Sequence, residues 1–150
     1  MNGKRVLLGL AIVTATTAGV GIAATAEAAT PPLTFTRVYY NSPGTDDRSN
    51  ASLNAEYFKL TNNTSAAIQL AGWTVRDKAN HVYTFKSTAL AAKASVYVHT
   101  GKGSDTATNK HWGSGNYIWN NDGDTATLKN TKATTIDTCT WGRTGSATNC

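Results

Sequence analysis

Hydrophobic and polar residues alternate at every second position in several short runs of this chain. In residues 56–61, Phe58 and Leu60 share one face and the residues between them share the other; residues 73–76 and 96–99 repeat the pattern. A period of two is typical of a β-strand with one buried face. Beyond the first 28 residues no stretch of ten or more keeps a period of 3.6, so very little helix is expected.

Other short apolar runs complete a set of eight or nine predicted strands. The phase of the alternation breaks near Arg37, which predicts a bulge or a sheet edge there. The predicted strands are residues 33–41, 56–61, 67–70, 73–76, 81–85, 96–99, 117–120, 125–130 and 134–141. So many short strands in a chain of this size indicate an all-β sandwich or barrel with Greek-key connections.

Two hairpin turns are predicted from their residue types. Asp122-Gly123 precedes the strand at 125–130 and favours a tight type I′ hairpin, with Asp124 capping the turn. A second hairpin is expected at residues 77–80.

The first 28 residues have the order of a secretory signal peptide. A basic start precedes an uncharged run over residues 6–24, and an Ala-x-Ala cleavage site ends at Ala28. Cleavage after Ala28 is preferred, with Ala26 and Ala29 as alternatives, and an uncleaved anchor helix is the competing interpretation. The prediction is a single exported domain over residues 29–150, secreted or held near the cell wall, with no membrane-spanning segment after cleavage.

The exported part is mildly basic, with 12 Lys and Arg against 8 Asp and Glu. Its cations are scattered singly, which favours solubility as their role. The balance also permits an acidic partner such as nucleic acid or an anionic envelope polymer.

An even number of cysteines in an exported chain indicates a disulfide. Cys139 and Cys150 are therefore predicted to close a short loop near the C-terminus. Zinc binding is the alternative, but a lone cysteine pair with no nearby histidine matches no zinc spacing.

Several motifs occur in an order that resembles the lamin tail domain family, and especially its short exported bacterial members of actinobacterial type. They are residues 54–62 (NAEYFKLTN), 70–77 (LAGWTVRD), 83–85 (YTF), 96–98 (VYV), 101–103 (GKG) and 119–128 (WNNDGDTATL). The resemblance implies an immunoglobulin-like β-sandwich with a structural or protein-interaction role. It brings no catalytic residue set and no cofactor.

Two motif residues have structural interpretations of their own. Trp73 is in phase with Val75 and is expected to fill the space between the sheets, with Gly72 permitting a close backbone approach. Glu56 shares a face with apolar residues, so we expect it at a strand end or paired with a cation such as Arg37 or Arg76.

Ligand-binding residues are sought in the two long loops predicted at residues 41–54 and 101–116. In and after the second loop, cations and aromatic residues interleave as they do in binders of single strands or glycans. The candidates are Lys102, Lys110, His111, Trp112 and Tyr117. They suggest an alternative function, the binding of nucleic acid, a glycan or a cell-wall polymer through the 101–116 loop.

An unrecognised hydrolase is the remaining alternative, and the sequence argues against it. No nucleophile elbow, metalloprotease helix, P-loop or EF-hand loop is present. The histidines are dispersed, and the pairs Asp46 with Asp47 and Asp122 with Asp124 lie in turn-rich segments that favour aspartate for local hydrogen bonds. We therefore predict no enzyme activity, no metal and no cofactor; the partner protein or envelope polymer and the oligomeric state are left open.

Overall fold

The computed structural model describes residues 29–150 as two packed β-sheets, a smaller strand pair and one short helix. The predicted signal segment lies outside the described residues. In chain order the elements are β1 (Leu33–Tyr39), α1 (Asn50–Ala55), β2 (Tyr57–Asn62), β3 (Ile68–Gln69), β4 (Thr74–Arg76), β5 (Val82–Thr84), β6 (Ala89–Leu90), β7 (Ser95–His99), β8 (Asn109–His111), β9 (Asp124–Lys129), β10 (Thr135–Trp141) and β11 (Ala147–Thr148).

The first sheet has the strand order β11-β1-β2-β7-β8, and all its pairs are antiparallel except β7 with β8, which is parallel. The second sheet has the order β10-β9-β4-β5 and is antiparallel throughout. The strands β3 and β6 form a separate pair. This arrangement confirms the predicted all-β, immunoglobulin-like sandwich.

The core between the sheets is unusually rich in aromatic side chains. The rings of Phe58 and Trp119 meet edge to face at a centroid distance of 6.0 Å, and Trp119 meets Trp141 in the same way at 5.7 Å. Tyr40 stacks on Trp141 at 5.0 Å. Such pairs add to the burial energy of the rings, and they fix the spacing of the two sheets. Trp73 was expected to fill the space between the sheets, but it is only half-buried and packs against this core without belonging to the buried cluster.

Several local predictions are confirmed. The register of β1 against β2 shifts between Phe35 and Arg37, which is the predicted bulge. The strands β4 and β5 pair across residues 77–80, where Asn80 takes a left-handed φ of 68°. Gly72 also has a positive φ, of 79°, and its N–H bonds to the carbonyl of Phe85.

Three predictions about elements are wrong. Residues 117–120 form no strand, so the turn at Asp122-Gly123 connects an irregular segment to β9 and is not a β-hairpin. The predicted loop at 41–54 contains α1, which begins after the N-cap Ser49. The predicted loop at 101–116 contains β8.

Candidate functional site

The five loop candidates do not form one cluster. Lys102 is exposed, and its backbone is held by α1: its N–H donates to Asn50 Oδ1 at 2.8 Å, and its carbonyl accepts from the side-chain amides of Asn50 and Asn54, each at 2.9 Å. Tyr117 also contacts α1, since its hydroxyl lies 2.6 Å from Ser52 Oγ. The helix therefore anchors both ends of the 101–116 loop.

Lys110, His111 and Trp112 alternate between the two sides of the first sheet. Lys110 pairs with the buried Val98 and shares its inner side, whereas His111 pairs with His99 on the outer side. Trp112 packs inward, with its ring 5.9 Å from that of Trp119. This tryptophan contributes to packing beside the core, so its ring is not free in the loop.

The loop packs closely on its surroundings at two further points. A Cβ atom on Gly103 would overlap the ring of His111, so glycine is required for this approach. The second point is Asp105 of the loop, which lies near Tyr83 of β5. Burial, together with the charge of Asp105, raises the pKa of Tyr83 to about 12. The side chains that remain exposed in this segment are chiefly polar.

A row of aromatic side chains crosses the outer side of the first sheet, and the sequence analysis did not find it. The strand registers place its members directly opposite one another on four successive strands. We call these residues the aromatic row: Tyr39, Tyr57, His99 and His111. The three histidines are dispersed in the sequence, but the fold makes His99 and His111 neighbours.

The rings of the aromatic row pack on one another. Tyr39 and Tyr57 stack with centroids 5.7 Å apart and an interplanar angle of 17°, and His99 stacks on His111 at 5.5 Å and 25°. Tyr57 and His99 are tilted at 5.8 Å. All four residues are half-buried. Strands lie about 4.8 Å apart, so the row is about 15 Å long.

A second row runs beside the first on the same four strands, two residues further along each strand. We call it the cationic row, and the registers order its residues as Arg37, Lys59, Tyr97 and Asn109. The Arg37 guanidinium lies 5.8 Å from the centre of the Tyr39 ring, and Lys59 Nζ lies 5.5 Å from the centre of the Tyr97 ring. These are cation–π distances, so the cations are held in fixed positions among the rings.

A chain of hydroxyl groups completes this surface. The Thr36 and Thr61 Oγ1 atoms are 3.0 Å apart, and Thr61 Oγ1 is 2.9 Å from Ser95 Oγ. We call the three rows together the outer face. None of the residues in its rows is acidic, but two carboxylates border it. Asp105 accepts from the backbone N–H of His111 at 2.9 Å and lies 3.3 Å from the ring Nδ1 of His111, and Asp137 accepts from the backbone N–H of Phe35 at 2.7 Å.

The exposed side of the second sheet is different in chemistry. Threonines oppose one another there on β9 and β10: Thr127 pairs with Thr138, and Thr125 with Thr140. We call these four residues the threonine face. Arg76 and Lys129 flank them, but within residues 29–150 this side carries no aromatic row. The two sides of the sandwich therefore have similar cations and very different aromatic content.

Glu56 is the residue that links α1 to β2, and its side chain is fully buried. Its Oε1 accepts from Thr100 Oγ1 at 2.6 Å and from the N–H groups of Ile118 and Trp119 at 2.8 and 3.4 Å. Oε2 has no hydrogen-bond partner in the described part of the chain. Of the two alternatives expected for Glu56, the position at a strand end is the one found: it precedes β2, and hydroxyl and backbone donors occupy Oε1 where a cation such as Arg37 or Arg76 was the other possibility.

The predicted disulfide is present between Cys139 on β10 and Cys150. The buried Cys139 and the exposed Cys150 enclose β11, which pairs with β1. The bond therefore ties the end of the chain from the second sheet to the edge of the first.

Two buried aspartates stabilise turns. Asp77 accepts from the backbone N–H of His81 at 2.8 Å and lies 2.6 Å from its Nδ1, and Asp124 accepts from the N–H groups of Asn120 and Lys78 at 3.1 and 3.0 Å. Over residues 29–150 no three His, Cys, Asp or Glu side chains are grouped so as to hold a metal ion. No helix in the same range is long and apolar enough to cross a bilayer.

These features define an immunoglobulin-like β-sandwich whose most distinctive surface is an aromatic sheet face. The family model named Lamin Tail Domain matches residues 26–143, so the chain belongs to the lamin tail domain family. This is a family of non-catalytic immunoglobulin-like domains. No curated protein matches the chain.

Proposed function

We propose that this chain is an exported, non-enzymatic interaction domain that acts at the cell envelope or outside the cell. The observation that carries the proposal is the difference between its two exposed sheet sides. One presents the aromatic and cationic rows, and the other presents threonines. Tyrosine and arginine are enriched in protein interfaces because they supply rigid, amphipathic contact area, so the outer face is the contact surface in this proposal.

Export rests on separate support. The chain has a leader of signal-peptide type, and the bond between Cys139 and Cys150 suits an oxidising compartment. In this respect it fits the short exported bacterial type of lamin tail domain that its motifs resemble.

The test compares variants of the two sides in binding to the wall and culture fractions of the producing cells. Replacing Tyr57 and Tyr97 by phenylalanine removes two hydroxyls and keeps both rings packed. We expect retention to fall about tenfold, which corresponds to about 1.4 kcal/mol of binding free energy. The matched control replaces Thr127 and Thr138 by alanine on the threonine face and is expected to bind as the unchanged protein does. Equal retention of both double variants would contradict the proposal.

Polyanion or glycan binding by the 101–116 loop is the alternative proposal, and the structure sharpens its test. Trp112 packs inward, so its replacement would disturb packing as well as any binding. The pair Lys102→Ala and Lys110→Ala removes two positive charges and leaves Trp112 in place. Retention on a polyanion that survives both replacements would locate the binding site elsewhere.

A further inference from the structure

The ring faces of the outer face are already occupied by neighbouring side chains. Tyr39 stacks on Tyr57, and the Arg37 guanidinium lies over the Tyr39 ring. Tyr97 is covered by Lys59 and stacks on His99 at 6.5 Å. A nucleobase or a sugar ring binds an aromatic side chain by lying flat on it. Such ligands would have to break the existing stacks before they could bind.

The same packing leaves the ring edges and phenol hydroxyls of these half-buried tyrosines as the groups that remain for contact. Within residues 29–150, the hydroxyls of Tyr39, Tyr57 and Tyr97 make no hydrogen bond, unlike that of Tyr40, which donates to the carbonyl of Thr144 at 2.7 Å. Phenol hydroxyls need acceptors when a contact removes them from water. The partner must therefore supply acceptor groups above the rows.

The charges of the outer face specify the kind of acceptor. Arg37 and Lys59 are adjacent across β1 and β2, and within residues 29–150 neither cation forms a salt bridge, although Arg37 Nη1 donates to Asn149 Oδ1 at 3.1 Å. Carboxylates satisfy both requirements at once, because they accept hydrogen bonds from phenols and pair with guanidinium and ammonium groups. Two cations are too few to track a long polyanion, whose binding relies on many phosphate contacts.

We infer that the occupant of the outer face is an acidic surface of another protein, with Asp or Glu side chains placed over Arg37 and Lys59 and against the tyrosine hydroxyls. This inference rests on the proposed function and specifies its partner. The rows cover an area about 15 Å across, which is small for a protein interface, so the complex belongs to the transient class. Its affinity falls as salt is raised, because the charges lie at the surface.

Site-specific photocrosslinking in the producing cells tests this inference. The full chain carries p-benzoylphenylalanine in place of Ser95, which ends the hydroxyl chain of the outer face, and a matched control carries it in place of Thr127 on the threonine face. We expect an adduct from position 95 alone. It should resist nuclease and wall-degrading enzymes, and mass spectrometry should identify in it a peptide of a second protein, crosslinked next to Asp or Glu residues.

Charge reversal supplies the second readout. The pair Arg37→Glu and Lys59→Glu is expected to reduce adduct yield about tenfold. The pair Arg76→Glu and Lys129→Glu makes the same change in net charge on the other side and should leave the yield unchanged. If the first pair lowers the melting temperature, Arg37→Gln and Lys59→Gln replace it.

The outcomes separate the two proposals. An adduct at position 95 that is removed by nuclease or wall-degrading enzymes, or whose yield ignores the charge reversal, overturns the acidic-protein partner and leaves the interaction face standing. No adduct at position 95, or equal adducts at both positions, overturns both.

Discussion

At the scale of single residues, burial and hydrogen bonds act in opposite directions on the pKa of Glu56. Burial raises its pKa from 4.5 to about 7, while the hydrogen bonds from Thr100, Ile118 and Trp119 act in the opposite direction. The raised pKa means that the folded protein favours the protonated carboxyl more than the unfolded chain does. Glu56 therefore stabilises the fold most at pH below about 4.5, and this contribution is lost as pH rises toward about 7.

The pH dependence gives a direct prediction for Glu56→Gln. A pKa difference between 4.5 and about 7 corresponds to about 3 kcal/mol of unfolding free energy, because each pH unit is worth about 1.4 kcal/mol. Glutamine keeps an oxygen for the same donors and carries no charge. We expect the variant to gain up to about 3 kcal/mol over the unchanged protein between pH 5 and pH 8, as measured by urea unfolding at each pH.

The comparison with glutamine cancels the titration of all other groups, so it isolates this carboxyl. Thr100→Val serves as a control, since it removes one donor to Oε1 and should raise the pKa further. Parallel stability curves for Glu56→Gln and the unchanged protein would show that Glu56 does not titrate in this range.

At the scale of elements, the two-residue strand β11 depends on the disulfide. Its backbone pairs with Val38 and Tyr39, and the carbonyl of Ser146 accepts from the N–H groups of Tyr40 and Asn41 at 2.9 and 3.1 Å. A two-residue strand next to a chain end frays unless it is tied down, and the disulfide ties this one.

Replacing both cysteines by serine should therefore release β11 from β1. The sequence separation of 11 residues gives an expected loss of about 3 kcal/mol by chain entropy. Hydrogen exchange should show the amides of Tyr40 and Asn41 losing protection, while those of β9 change only with global stability. Retained protection at Tyr40 in the serine variant would mean that β11 is held by its own contacts.

The elements also show what the sequence could and could not predict. The runs at β2, β4 and β7 were predictable because alternation records which side of each strand is buried. Residues 117–120 were mistaken for a strand because they are aromatic; in fact the N–H groups of Ile118 and Trp119 bond to the Glu56 carboxylate, not to a neighbouring strand. The strand β8 was missed since Asn109, Lys110 and His111 carry no apolar pattern and become a strand only beside β7.

The aromatic row, like β8, could not be predicted from the sequence because it depends on how strands pair. The sequence shows that Tyr57 and Tyr97 face away from the core, because they alternate with buried residues. It does not show that Tyr39, Tyr57, His99 and His111 stand in line, since this depends on the register of four strands, including a bulge and a parallel pair. The sequence does show that cations and aromatic residues interleave in the 101–116 segment. The fold nevertheless puts Lys110 and Trp112 on the inner side of the first sheet and His111 on its outer side.

At the scale of the whole molecule, the residues that stabilise the fold and the residues proposed to contact a partner lie in different places. The aromatic core and the buried polar groups lie between the sheets, and the outer face adds rings and cations that the core does not need. Variants of the outer face are thus expected to change binding with little effect on folding, whereas variants of Trp119 or Glu56 change folding first.

Export of the whole molecule predicts two measurable features, removal of the leader and formation of the disulfide. If the leader is removed after Ala28, the protein recovered from the culture medium begins at Ala29, and its intact mass is that of residues 29–150 less two hydrogens for the bond between Cys139 and Cys150. Export predicts both features together, because passage out of the cell removes a signal peptide and delivers cysteines to an oxidising environment. Intact mass and N-terminal sequencing, with and without reduction, measure both. A chain that keeps its leader in the membrane fraction, or that presents two alkylatable thiols without reduction, would show that the domain works anchored or in a reducing compartment.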